Sequence, residues 1–287
     1  MFDVRRSSFK TTPYGINATC ERLQNNLALM GQRVVCRPQR SQTKRIRTMK
    51  PGTLYGVGVG PGDPELITLK AMRVLNQVEV IFAAASSKNE YSLALENAKS
   101  HMLNGAEVVR LSFPMTREQE TLERAWEENA RLILEFVQKG KDVAFITIGD
   151  PLTYSTFGYV MQTIQEMAPE VPVHVIPGVT SYQAATAAAH EIVAAQEETF
   201  CVISGSKGGE QLKEMINKVD CVVMLKVYRH LDKILDTLEE LGIQDGVTLV
   251  SRCGMEDQVI CKNPQELRGK KVPYLSLMIV KKGKESQ

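Results

Sequence analysis

The chain is 287 residues long, 43% hydrophobic and 24% charged, which suits about two globular domains. No run approaches the roughly 18 apolar residues of a membrane-spanning helix, and the N-terminus lacks the apolar core of a secretory signal, so a cytoplasmic protein with no membrane partner is expected. The net charge of +2 is unevenly spread: residues 1–50 hold eleven Lys or Arg against two acids, while 51–287 carry seven more acids than bases, a surface that disfavours nucleic acid.

Residues 1–48 form a basic extension rich in Arg, Gln, Ser, Thr and Asn, whose one apolar patch (Leu27 to Met30) is too short for a core. It reads as a disordered basic arm, an Arg-rich presequence, or residues ahead of a start at Met49. The last is preferred, because a strand begins directly after Met49-Lys50-Pro51-Gly52. From Thr53 onward β-rich runs at 53–60, 78–83, 107–111, 143–147, 171–176, 199–204, 221–226, 247–251 and 274–280 alternate with helical patterns at 64–75, 91–103, 117–139, 153–167, 180–190, 208–218 and 229–241. The alternation predicts α/β layering with mainly parallel strands. Met167-Ala168-Pro169-Glu170-Val171-Pro172 is the expected boundary between two α/β domains, 49–168 and 169–287.

Six cysteines and four histidines are scattered without metal-ligand spacing, so no metal site is expected, and Cys201 and Cys221 read as buried thiols.

Thr53 to Gly62 reads T-L-Y-G-V-G-V-G-P-G. A dinucleotide fingerprint needs a third glycine five positions after the first, and Pro61 or Asp63 stands there instead. The Walker lysine is missing too. Asp63 and Pro64 suit the N-cap and first residue of a helix through Leu75, so a tight strand-to-helix turn without a ligand is the competing reading. Two more strand ends carry related punctuation: Ile148-Gly149-Asp150-Pro151-Leu152-Thr153-Tyr154-Ser155-Thr156, and Ile176-Pro177-Gly178-Val179-Thr180-Ser181. Ligands of open α/β sheets gather at such carboxyl ends. Glycines and hydroxyls without clustered lysines suit a neutral or zwitterionic nucleoside better than a polyphosphate.

These three segments, in this order, resemble the tetrapyrrole methylases, and the likeness runs from about Thr53 to Val280. Ser92-Leu93-Ala94, Phe113-Pro114-Met115, Met224 to Tyr228 and Pro273 to Ser276 are similar to the branch that methylates C20 of precorrin-2 or cobalt-factor II in cobalamin and porphyrin biosynthesis. Ile148 replaces a glycine common in other branches.

The resemblance implies two α/β domains with S-adenosyl-L-methionine in the cleft between them, a homodimer, and methyl transfer to a tetrapyrrole carbon. Carried over by position, it implies donor contacts from Pro61, Ile148, Gly149, Asp150, Thr153, Thr180, Ser181, Leu225, Lys226 and Val227. Asp150 is also the expected catalytic contact, with a helix N-cap as its plainer role, and Tyr228 is a second candidate. Lys88, Arg117, Lys226, Arg229 and Arg252 are candidates for the substrate carboxylates, although each also reads as a solvated surface charge. Alternatives from the same fold are a methyltransferase for another tetrapyrrole position, for a modified histidine, or for RNA. A non-catalytic ligand carrier is the alternative of a different class.

Overall fold

A computed structural model describes residues 50–86, 92–243 and 245–282. Nine of its ten strands match runs expected from the sequence, and they form two five-stranded sheets.

The first sheet contains β1 (Leu54–Gly58), β2 (Val80–Ser86), β3 (Glu107–Phe113), β4 (Val143–Thr147) and β5 (Val173–Ile176), in the order β3-β2-β4-β1-β5. All its pairings are parallel. Every residue of β4 is buried, as an unbroken Val-Ala-Phe-Ile-Thr run requires in a parallel sheet covered on both faces. Helices α1 (Leu69–Leu75) and α2 (Leu93–Ala98) cover one face. Helices α3 (Gln119–Val137) and α4 (Phe157–Met167) cover the other. On α3 the buried positions Asn129, Ala130, Ile133, Leu134 and Val137 repeat at helical spacing and meet that sheet. Phe145 is fully buried there, edge-on to Phe113 at 6.2 Å and Phe157 at 5.5 Å.

The second sheet has the order β6-β7-β10-β8-β9, from β6 (Phe200–Ser204), β7 (Cys221–Leu225), β8 (Val247–Ser251), β9 (Val259–Cys261) and β10 (Ser276–Lys281). Helices α6 (Glu210–Met215) and α7 (Leu231–Glu240) pack on one face, and α5 (Ser181–Ala189) packs on the other through Ala185 and Ala189. On α7, Leu231, Ile234, Leu235 and Leu238 make the apolar stripe.

Three expectations are corrected. The strands are not mainly parallel throughout: in the second sheet only β6 and β7 run parallel, and β10 is antiparallel to both β7 and β8. No helix separates β8, β9 and β10 apart from a short 3-10 turn at Pro264–Leu267, so no crossover can align them. The boundary expected at 168 and 169 falls inside the first lobe, since β5 pairs with β1, and the chain changes lobes between Ile176 and Ser181. Finally, Asp63 and Pro64 do not begin a helix reaching Leu75. Asp63 caps a 3-10 turn at Pro64–Leu66, Ile67 is extended, and α1 starts afresh with Thr68 accepting from the Ala71 amide at 3.2 Å.

The described residues belong to one compact unit, Thr48–Gln287. The extension 1–48 and Lys88 lie outside them. Among the described residues no helix is long and apolar enough to cross a membrane, and no His, Cys, Asp and Glu side chains gather as a metal cluster.

Candidate functional site: a hydroxyl-lined cleft

The three glycine-bearing segments meet because their strands are neighbours. β1 lies between β4 and β5, so the loops after all three leave the same edge of the sheet side by side. Main chain then touches main chain. The Gly149 amide donates to the Gly60 carbonyl at 2.8 Å. A β-carbon built on Gly58 would sit 2.5 Å from the Gly149 oxygen and 2.7 Å from the Gly178 α-carbon, and one on Gly178 would sit 2.1 Å from the Gly149 oxygen. Side chains are excluded from that junction. Gly56, one step earlier in the alternation, leaves room for the Phe157 ring, which a β-carbon would meet at 2.2 Å. The repeating glycines thus join strands and loops at close range.

Asp150 locks this junction. Its Oδ1 accepts from the Leu152 amide (2.9 Å) and the Thr153 hydroxyl (3.3 Å), and its Oδ2 accepts from the Gly178 amide (3.2 Å). Residues 151–154 form a turn and α4 begins only at Phe157, so Asp150 is an Asx-turn residue bridging two loops and not the helix N-cap considered from the sequence.

Above the junction, between the lobes, lies a cavity of about 410 Å³. Pro61, Ile148, Thr153, Ser181, Leu225 and Lys226, all expected from the sequence, line it. The other four expected donor contacts do not. Gly149 and Asp150 build the junction beneath. The Thr180 hydroxyl is engaged with Gln183 in the capping box of α5, and Val227 is fully buried in the second lobe's core.

Of the catalytic and substrate candidates, Tyr228 and Arg229 border a separate depression on the second lobe. Arg252 is paired with Asp257, and Arg117 is exposed on the link between β3 and α3. Neither lines the cavity.

Several lining residues carry no role assigned from the sequence. Tyr154 stood inside the second motif without an assigned role. Cys253 arrives from the β8–β9 connection, for which no local pattern announces a site, whereas Tyr274 and Ser276, just before and at the start of β10, belong to the Pro273 to Ser276 segment of the resemblance, where no role was assigned to them. Ser92, at the start of α2, is 5% exposed, and its hydroxyl has no partner among the described residues. Burial raises the Tyr274 phenol above the ordinary tyrosine range, Tyr228 adds to the rise and Arg229 opposes it. Burial also raises Cys253, with Asp63 adding to the effect.

Chemically the cavity is a mixture of hydroxyls (Thr147, Thr153, Ser155, Ser181, Ser276) and aliphatic walls (Ile146, Val250, Leu277), with Lys226 as the single charged side chain among the described residues that line it. That set fits an uncharged or zwitterionic nucleoside, and among the described residues it has no cation cluster for a polyphosphate and no acid–base pair.

The chain belongs to the tetrapyrrole (corrin/porphyrin) methylases, whose family profile matches residues 53–267. Within that family it is similar to the cobalt-precorrin-2 C(20)-methyltransferase of Salmonella typhimurium, 31% identical over 232 residues that cover 80% of this chain and 97% of the relative. It is also similar to the "Probable cobalt-precorrin-2 C(20)-methyltransferase" of Methanocaldococcus jannaschii, 34% identical over 233 residues, 80% of this chain and 96% of that one. Among solved structures, the uroporphyrin-III C-methyltransferase of Thermus thermophilus complexed with S-adenyl homocysteine aligns with a TM-score of 0.57 and 26% identity, covering 80% of this chain and 98% of its own.

Proposed function

We propose that the protein is an S-adenosyl-L-methionine-dependent C-methyltransferase acting on C20 of precorrin-2 or cobalt-factor II in cobalamin biosynthesis, as a cytoplasmic homodimer. The names of the two relatives support the acceptor and the position. The convergence of three glycine loops on a hydroxyl-lined cavity without an acid–base pair carries the reaction type.

A sulfonium donor brings its own activation, because its methyl group is displaced in line by an electron-rich carbon. The protein's work is therefore alignment and exclusion of water. Thr153 of the first lobe and Ser181 at the start of α5 offer hydroxyls. Leu225 and Lys226 offer the opposing wall, and Ile146, Val250 and Leu277 keep the interior dry. Asp150 acts through the loops it ties together, which makes it a positioning residue in this reading.

Anaerobic incubation of the full chain with S-adenosylmethionine and either macrocycle tests the proposal. One added methyl group per macrocycle, matched by S-adenosylhomocysteine, is the expected result, and the preferred macrocycle identifies whether cobalt is already present. Methyl addition at another carbon would replace the C20 assignment. Donor binding without turnover on either substrate would overturn it.

A further inference from the structure

Beside the cavity, on the second lobe, the first turn of α7 and the segment 269–271 enclose a depression of about 340 Å³. Arg229, Lys233, Lys270 and Lys271 line it, with Asp232 as the sole acid. The Asp232 carboxylate is already occupied: it accepts from the Gly269 amide at 2.9 Å and so draws the lysine-bearing segment against the helix. None of the four cations is ion-paired among the described residues, whereas Lys213, Arg252 and Arg268 nearby in the same lobe all are. Four like charges held in one concavity repel one another, and an anion relieves that repulsion.

Two further features give the depression a direction. No side chain caps the amides that open α7, so they add partial positive charge to the same wall. Tyr228, on the rim, lies edge-on to Tyr274 with ring centroids 5.0 Å apart, and Tyr274 lines the main cavity. The Arg229 guanidinium stands over the Tyr228 ring at 5.3 Å, which restrains it on the rim. The tyrosine pair therefore forms the partition between the hydroxyl-lined cavity and the cationic depression.

Building on the function proposed above, we propose that this depression is the subsite for peripheral carboxylates of the macrocycle. A macrocycle presented to the cavity across the tyrosine pair places rim carboxylates against Arg229, Lys270 and Lys271, and the first turn of α7 supplies amide donors to the same groups. The subsite fixes how the ring is rotated, and hence which carbon faces the cavity.

Binding of the polycarboxylate uroporphyrin III, followed by its fluorescence, tests this with the full-length wild type and an R229Q/K270Q/K271Q variant. Calorimetric binding of S-adenosylhomocysteine and a thermal melt are run on both. Three lost partially exposed ion pairs predict macrocycle binding weakened about tenfold, with shallower salt dependence, while S-adenosylhomocysteine affinity stays within about twofold. A K270R/K271R variant, keeping the charge, should bind as the wild type does. Equal macrocycle affinity in the wild type and the neutralised variant would overturn the subsite and leave the methyltransferase reading standing. No uroporphyrin binding by a wild type that takes S-adenosylhomocysteine would overturn the subsite as well, while the methyltransferase reading falls only if precorrin-2 and cobalt-factor II are not turned over.

Discussion

Lys226 Nζ of the second lobe stands over the Tyr154 ring of the first at 5.4 Å, and the Tyr154 hydroxyl donates to the Val202 carbonyl in β6 at 3.3 Å. Both residues have left-handed backbones, with φ of 53° and 60°. Such conformations are uncommon for non-glycine residues and persist where the surroundings fix them. Here the two hold the lobes together across the mouth of the cavity.

Removing that bridge should loosen donor binding more than it harms the fold. A cation–π contact at an exposed site contributes about 0.5–1 kcal/mol, and a neutral hydrogen bond about as much. Tyr154→Phe should therefore weaken S-adenosylhomocysteine binding by a few fold and Tyr154→Ala by roughly tenfold, read by calorimetry. Equal affinities in all three proteins would remove Tyr154 from the site's architecture.

Asp150→Ala should lower methyl transfer by an order of magnitude or more while the protein stays folded, because three donors lose their acceptor at once and the loops part. Asp150→Asn makes the sharper test. Its amide keeps one acceptor for Leu152 and Thr153 but can turn an N–H toward the Gly178 amide, so activity should stay well below wild type. Recovery in the asparagine variant would show that the Gly178 link is dispensable.

Gly58→Ala places a methyl group on main chain that cannot rotate away, whereas Gly105→Ala meets nothing within 4 Å and pays only for its positive φ of 68°. The first should cost about 1–3 kcal/mol or more and abolish donor binding; the second should cost about 1 kcal/mol and leave binding alone. Denaturant melts and calorimetry on the pair separate the two effects.

Acid stability should depend on Asp220. Its pKa is lowered chiefly by the Thr199 amide, which donates at 2.7 Å, and next by the Thr199 hydroxyl at 3.1 Å. A depressed folded-state value means that the contribution is complete above the unfolded value of about 3.9 and disappears as pH falls through the lower folded value. Asp220→Asn should therefore melt below wild type at pH 6 and approach it near pH 2. A gap that stays constant with pH would assign the Thr199 contacts no linkage to protonation.

Much of this architecture is legible from local pattern. β4 and β8 fall at 143–147 and 247–251 as expected, because each is a short unbroken apolar run that periodicity and length identify together. β9 was missed, since Val259–Cys261 is three residues long on a sheet edge and buries too little to leave a signature. The motif segments were visible as strand ends, but their meeting depends on β1 lying between β4 and β5, a matter of strand order that no window of residues contains. The same limit explains Asp150: a Gly-Asp-Pro turn looks like a ligand contact or a helix cap, and only the nearness of Gly178 reveals the bridge. Charged candidates divided: Lys226 lines the cavity and Arg252 does not. Arg252 was chosen as a lone cation, and its Asp257 partner comes from the fold of the following turn.

The glycine junction has a consequence for redesign. Beneath the cavity, main chain meets main chain, and Gly58 and Gly178 leave no room for a side chain there. Any attempt to adapt the cleft to donors bearing a bulkier alkyl group must therefore leave that junction alone and work on the lining side chains, where Ile146, Val250 and Leu277 present removable methyl groups. The molecule divides adaptability by depth: the glycine junction supplies a fixed mould, and the side chains above it, from both lobes, carry the surface on which selectivity can be rewritten.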